Sequence, residues 1–101
     1  MKIEKITVPA QPGLDPIHIY FEDIEPGKGR IIIICYDMAW TGYWQAIGKE
    51  TSIKDFFAEC DDDYLASNIS AGRQYKGDIV SRNYIKRIVK AAHDFILEAK
   101  Q

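Results

Sequence analysis

Residues that announce chemistry are scarce in this sequence. Two cysteines, Cys35 and Cys60, and two histidines, His18 and His93, are all it holds of the usual soft metal ligands and imidazole bases. The cysteines stand far apart and outside any C-x-x-C spacing, so free, buried thiols in a reducing compartment are expected rather than a disulfide or a zinc site. No G-x-S-x-G, Walker loop, G-x-G-x-x-G or H-E-x-x-H occurs, and the expectation is therefore a protein without cofactor, metal or enzymatic activity. Long apolar runs are missing too. Nothing approaches the roughly 20 residues needed to cross a bilayer, and the start, M-K-I-E-K-I-T-V, lacks the apolar core of a signal peptide; a cytoplasmic location and no membrane partner are expected. A net charge of only -2 argues against generic electrostatic binding by the molecule as a whole.

What is present is structural pattern. At 101 residues, the expectation is a single domain over 1–101 with one core. Residues 2–8 are rich in β-branched side chains and stop at Pro9, a strand and its end. A-Q-P-G-L-D-P follows as a loop. Ile17, Ile19 and Phe21 then alternate with His18, Tyr20 and Glu22, which places the two sets on opposite faces of a second strand. E-P-G-K-G at 25–29 carries the Pro-Gly pair of a type II turn, and a hairpin into the run Ile31, Ile32, Ile33, Ile34 and Cys35 results. That run is apolar on both faces, as a central strand is; a central position leaves its free side for the first strand. Met38 to Trp44 is read as continued extended structure, since Thr41-Gly42 makes a poor helix interior.

From Thr51 the period changes from strand to helix. Thr51 or Ser52 caps a helix with Asp55 in its first turn and Ile53, Phe56, Phe57 and Cys60 at helical spacing. Asp61-Asp62-Asp63 ends it or caps a second short helix carrying Tyr64, Leu65 and Ile69 and ending near Ala71-Gly72. The triplet lacks the D-x-[DN]-x-[DN]-G order of a calcium loop and is read as capping and dipole-compensating charge. Ser81 is the expected N-cap of the last helix, with Ile85, Ile88, Val89, Ala92, Phe95, Ile96 and Ala99 on one stripe. Strands first and helices afterwards predict an α+β fold: an antiparallel sheet of three or four strands followed by two or three helices packed on one face. The other face, with His18, Tyr20 and Glu22, then meets solvent or a second copy of the chain.

Three sets of residues are candidates for function. Residues 1–63 hold 6 basic and 12 acidic side chains, whereas residues 64–101 hold 7 basic and 3 acidic. In the basic part Arg73, Lys76, Arg82, Lys86, Arg87 and Lys90 are interleaved with Tyr75 and Tyr84, and Arg82, Lys86 and Lys90 repeat at i, i+4. Such a stripe suits phosphate contacts or an acidic partner and is equally the solvated side of an amphipathic helix. The second set is Trp40, Tyr43 and Trp44, as core or as anchors of a protein interface. The third is a site scattered over His18, Tyr20, Cys35 and Asp37, with no third group placed by sequence to orient either histidine.

The stretches I-E-K-I-T-V-P-A-Q-P-G-L-D-P-I-H-I (3–19), F-E-D-I-E-P-G-K-G-R-I (21–31), A-W-T-G-Y-W (39–44) and F-F-A-E-C-D-D-D-Y-L (56–65) resemble a group of small, mostly uncharacterised proteins of temperate phages and prophages of enteric bacteria. The resemblance covers roughly two thirds of the chain and carries no catalytic motif. It implies a bacterial cytoplasm as the setting. It also implies an accessory protein that binds a host or phage component, while the basic residues 73–90 leave nucleic acid as the alternative partner.

Overall fold

The computed structural model describes residues 2–35, 38–69 and 79–99, with side chains of the last stretch described at 83–98. Four strands come first: β1 (Lys2–Val8), β2 (Ile17–Glu25), β3 (Lys28–Cys35) and β4 (Met38–Trp44). They form one antiparallel sheet in the order β1-β2-β3-β4, each strand paired with the next. Three helices follow, α1 (Ile53–Glu59), α2 (Asp62–Asn68) and α3 (Ile79–Ala99). This is the expected α+β architecture, with four strands and three helices.

The turns explain the meander. Gly27 has φ +82, the left-handed third residue of the Glu25-Pro26-Gly27-Lys28 turn, so β2 turns directly into β3. Lys28 and Glu25 form an ion pair of 2.7 Å across it, and the lysine holds the Glu25 carboxyl below its usual range. The loop after β1 is closed by a small bridge, in which Gln11 and Leu14 exchange backbone hydrogen bonds of 3.0 and 2.8 Å. That tight return brings the chain back beside β1, which therefore pairs with β2; the side of β3 expected for the first strand is taken by β4.

Alternation decides what is buried. Val8, Ile17, Ile19, Phe21, Ile31, Ile33, Cys35 and Trp40 point to the helical side and are buried. Their core partners there are Ile53 and Phe57 of α1, Leu65 and Ala66 of α2, and Ile85, Ile88, Val89, Ala92 and Ile96 of α3. Five members of the predicted α3 stripe are thus in the core, Phe95 packs against it half-buried, and Ala99 lies outside the described side chains. The isoleucine run is central within the sheet, yet only one of its faces is covered by described residues: Ile32 and Ile34 are half-buried on the opposite side.

Helix ends follow the capping signals closely. The Ser52 hydroxyl accepts a hydrogen bond from the Asp55 backbone N–H at 3.1 Å, and Asp23 of β2 accepts one from the Ile53 N–H at 2.7 Å, tying the start of α1 to the sheet. Asp61 caps α2 by accepting from the Asp63 N–H at 3.2 Å, and the helix gives way at Ile69. The last helix begins at Ile79, two residues before Ser81, so Ser81 lies inside it rather than at its N-cap. Ala71 and Gly72, and the polar connection 73–78, lie outside the described residues.

Candidate functional site

The structure divides the two tryptophans and their tyrosine. Trp40 faces the helices, is 2% exposed, and meets Tyr84 of α3 edge-on at 5.6 Å between centroids. It belongs to the core and leaves the candidate surface, because its position in β4 shares the parity of the buried Ile33 across the ladder. Tyr43, of opposite parity, is 46% exposed on the uncovered face, where the Arg30 guanidinium lies 5.6 Å from its ring. Trp44 returns to the helical side at the end of the edge strand and is half-buried.

Trp44 gathers two further aromatics around it. Its ring folds back across Gly42, where a Cβ would come within 2.7 Å of the indole and 3.0 Å of Ile69. The indole packs against Phe56 of α1 at 5.5 Å, and its Nε1–H donates to the Tyr64 hydroxyl of α2 at 3.0 Å. Phe56 and Tyr64 are themselves 6.5 Å apart. The three rings form a ledge along the β4 edge, with Tyr64 44% exposed. Phe56 and Tyr64 read in sequence only as helix-face residues. Their grouping with Trp44 is tertiary, and the available signal was the sequence of aromatic positions at 44, 56 and 64 around two short helices.

The helical rings of the ledge lie in an acidic stretch of sequence. From 53 to 69, the segment that carries Phe56 and Tyr64, Asp55, Glu59, Asp61, Asp62 and Asp63 stand against the single base Lys54. Lys54 is paired with Glu4 of β1 at 2.7 Å, and Asp63 with Lys86 of α3 at 2.5 Å. Half-buried Cys60 sits within this segment, and its thiol is pushed up by burial and then by the neighbouring Glu59 carboxylate. Asp62 is held differently. Its carboxylate contacts Nδ1 of His93, while the other ring nitrogen of that histidine lies 2.6 Å from the Phe57 carbonyl oxygen. His93 is 7% exposed and packs its ring against Phe57 at 4.8 Å. It is a packing histidine that joins α3 to α1 and α2.

The basic set is only partly placed. Arg73 and Lys76 lie outside the described residues, as does the side chain of Arg82. Lys86 and Lys90 are exposed on α3 but engaged, Lys86 with Asp63 and Lys90 with Asp94 at 3.2 Å. Arg87 donates to the Gly13 carbonyl at 3.4 Å. Of the scattered set, His18 and Tyr20 stand on the uncovered face and Cys35 on the buried one, where its thiol meets the Tyr84 hydroxyl at 3.7 Å. The sheet therefore separates them, and Asp37 lies outside the described residues.

A groove of about 350 Å³ opens at the end of the sheet that holds the β2–β3 turn, between that turn and residues 49–52. Its lining mixes Lys2 and Lys49 with Asp23, Glu25 and Glu50, and Asp23 is already committed to capping α1. Among the described residues no three histidine, cysteine or carboxylate side chains gather as metal ligands, and no helix is long and apolar enough to cross a membrane.

A family model described as a phage family, Phage_phiTE_072, matches residues 1–101. Comparison with curated proteins and with solved structures finds no match.

Proposed function

The chain belongs to this phage protein family, and on that footing we propose that it is a non-enzymatic accessory protein that binds and modulates a host or phage macromolecule. The partner in this reading is a protein presenting a basic surface. Inhibition of a defence or replication component is the form such modulation would take. The observation that carries the reading is the ledge of Trp44, Phe56 and Tyr64, half-exposed aromatic area set in a segment of five carboxylates and one lysine. Aromatic anchors supply contact area at low entropic cost, and a carboxylate rim steers a cationic partner toward them.

The test uses the full chain as bait against lysates of infected and uninfected bacteria, beside Tyr64→Ala and Glu59→Lys. The expected result is a protein retained by the wild type, weakened about tenfold by Tyr64→Ala, as removal of an anchor worth about 1.4 kcal/mol would do, and weakened by Glu59→Lys and by added salt. Equal retention by all three chains overturns the reading. So does recovery of nucleic acid in place of protein, lost with Lys86→Glu and Lys90→Glu and falling steeply with salt, which would establish the basic face of α3 as the binding surface.

A further inference from the structure

The sheet face that no described residue covers is not a typical solvated one. Its positions form three rows across the four strands: Ile3, Glu22, Arg30 and Tyr43; Lys5, Tyr20, Ile32 and Thr41; Thr7, His18, Ile34 and Ala39. The interior strand contributes two isoleucines to it, and the edges add Ile3, 57% exposed, and Tyr43, 46% exposed. A strand that meets water on one face alternates apolar with polar residues, whereas β3 runs Ile-Ile-Ile-Ile as strands covered on both faces do.

We propose that this face is a homodimer interface, in which two copies pack sheet to sheet about a two-fold axis running along the strands between β2 and β3. That axis lays β1 over β4 of the second copy and β2 over its β3, and it keeps each row opposite itself in reverse order. In the first row Ile3 then meets Tyr43, and Glu22 meets Arg30, of the other chain, and the reciprocal contacts follow by symmetry. Glu22 and Arg30 already form a 3.5 Å pair within one chain; the axis turns two such pairs into a closed square of alternating charge. In the second row Tyr20 meets Ile32 and Lys5 meets Thr41. In the third His18 meets Ile34 and Thr7 meets Ala39. Every row is self-complementary, with apolar or aromatic contacts at Tyr20 and Ile32 in the centre and no like charges opposed.

The size of the face sets the strength. Four strands about 4.8 Å apart, seven residues long at about 3.3 Å each, give a face of roughly 19 by 23 Å. That is roughly 440 Å² in plan, below the ~800 Å² per partner of a standard interface even with side-chain relief added. Aligned sheets also cross at about 30°, which concentrates contact on the middle of the face. The interface is thus a small one, and the dimer it makes is concentration-dependent. It leaves the Trp44, Phe56 and Tyr64 ledge free, since that lies on the helical side.

Sedimentation velocity of the full chain from about 1 to 500 µM tests this, with circular dichroism confirming the fold of each variant. Wild type is expected to pass from monomer to dimer across that range, and Tyr64→Ala to behave as wild type. Glu22→Arg and Arg30→Glu each weaken association at least tenfold, because each opposes like charges across the axis. The double variant E22R/R30E regains the dimer, and an equimolar mixture of the two single variants forms a heterodimer. Wild type that stays monomeric at the highest concentration overturns the proposal. An axis running across the strands at Tyr20 would instead set residue 22 against residue 18 and residue 30 against residue 34 of the other copy. A dimer for which double variant and mixture regain nothing overturns the placement.

Discussion

At the scale of single residues, the two thiols show how little local sequence decides reactivity. Cys35 and Cys60 are both free, and neither has a basic neighbour in sequence. Their environments differ through tertiary contacts alone. Cys35 is completely buried on the core face of β3. Cys60 is partly accessible, but burial and the Glu59 carboxylate both disfavour its thiolate. A raised thiol pKa means less thiolate at any given pH, and alkylation runs through the thiolate. Iodoacetamide labelling at pH 8 followed by intact mass is therefore expected to modify Cys60 several-fold more slowly than a free thiol. Its rate should keep climbing above pH 9, while Cys35 stays unlabelled until denaturant is added. Rapid double labelling of the native protein would contradict this.

Elements were the most legible scale. The Pro-Gly turn, the alternation of β2, the Ser52 and Asp61 caps and the stripe of α3 were all readable because each rests on neighbours within a few residues. Two things were not. Whether the first strand pairs with β2 or β3 depends on how residues 9–16 return, and the Gln11–Leu14 bridge that settles it is a property of the folded loop. Which of Trp40 and Trp44 is buried depends on how far each stands from the strand's end and on what packs there. Both lie on the helical side of β4, but only Trp40 is deep enough to be covered by Tyr84. Trp44 reaches its place by lying flat over Gly42, and β4 is built around that contact. Gly42→Val puts backbone-attached carbon where the indole now rests, 2.7 Å from its nearest atoms. Overpacking of this kind costs about 1–3 kcal/mol. Urea denaturation should show that loss. The Trp44 contribution to the emission spectrum should shift to the red as the ring is displaced, whereas unchanged stability and emission would mean that the ring is free to move aside.

Across the whole molecule, one side chain of the helical layer reaches all three helices. His93 reaches Asp62 at the start of α2 and the Phe57 carbonyl of α1 from the middle of α3. Its two ring nitrogens thus reach oxygen atoms on both of the other helices. The sequence places a histidine near the end of a helix; it does not show which carboxylate or carbonyl the packing will bring to it. His93→Ala should cost about 2–4 kcal/mol, from loss of the buried ring and from a Phe57 carbonyl left without its donor. Guanidinium denaturation measures it, and a loss below 1 kcal/mol would show that the three helices hold together without this side chain.

The order of elements along the chain also has a consequence for synthesis. All four strands are complete by Trp44, while the helix that covers Trp40 and Cys35 does not begin until Ile79. A ribosome adding about 5–20 residues per second leaves an interval of seconds between the two. Through that interval the sheet can already pair, strand by strand with its neighbours, yet it is apolar on the side α3 will take as well as at Ile32 and Ile34. The growing chain is thus at its most adhesive between the completion of β4 and that of α3. The lysines of the edge strand β1, Lys2 and Lys5, are then among the few charges guarding its flank against pairing with another growing chain.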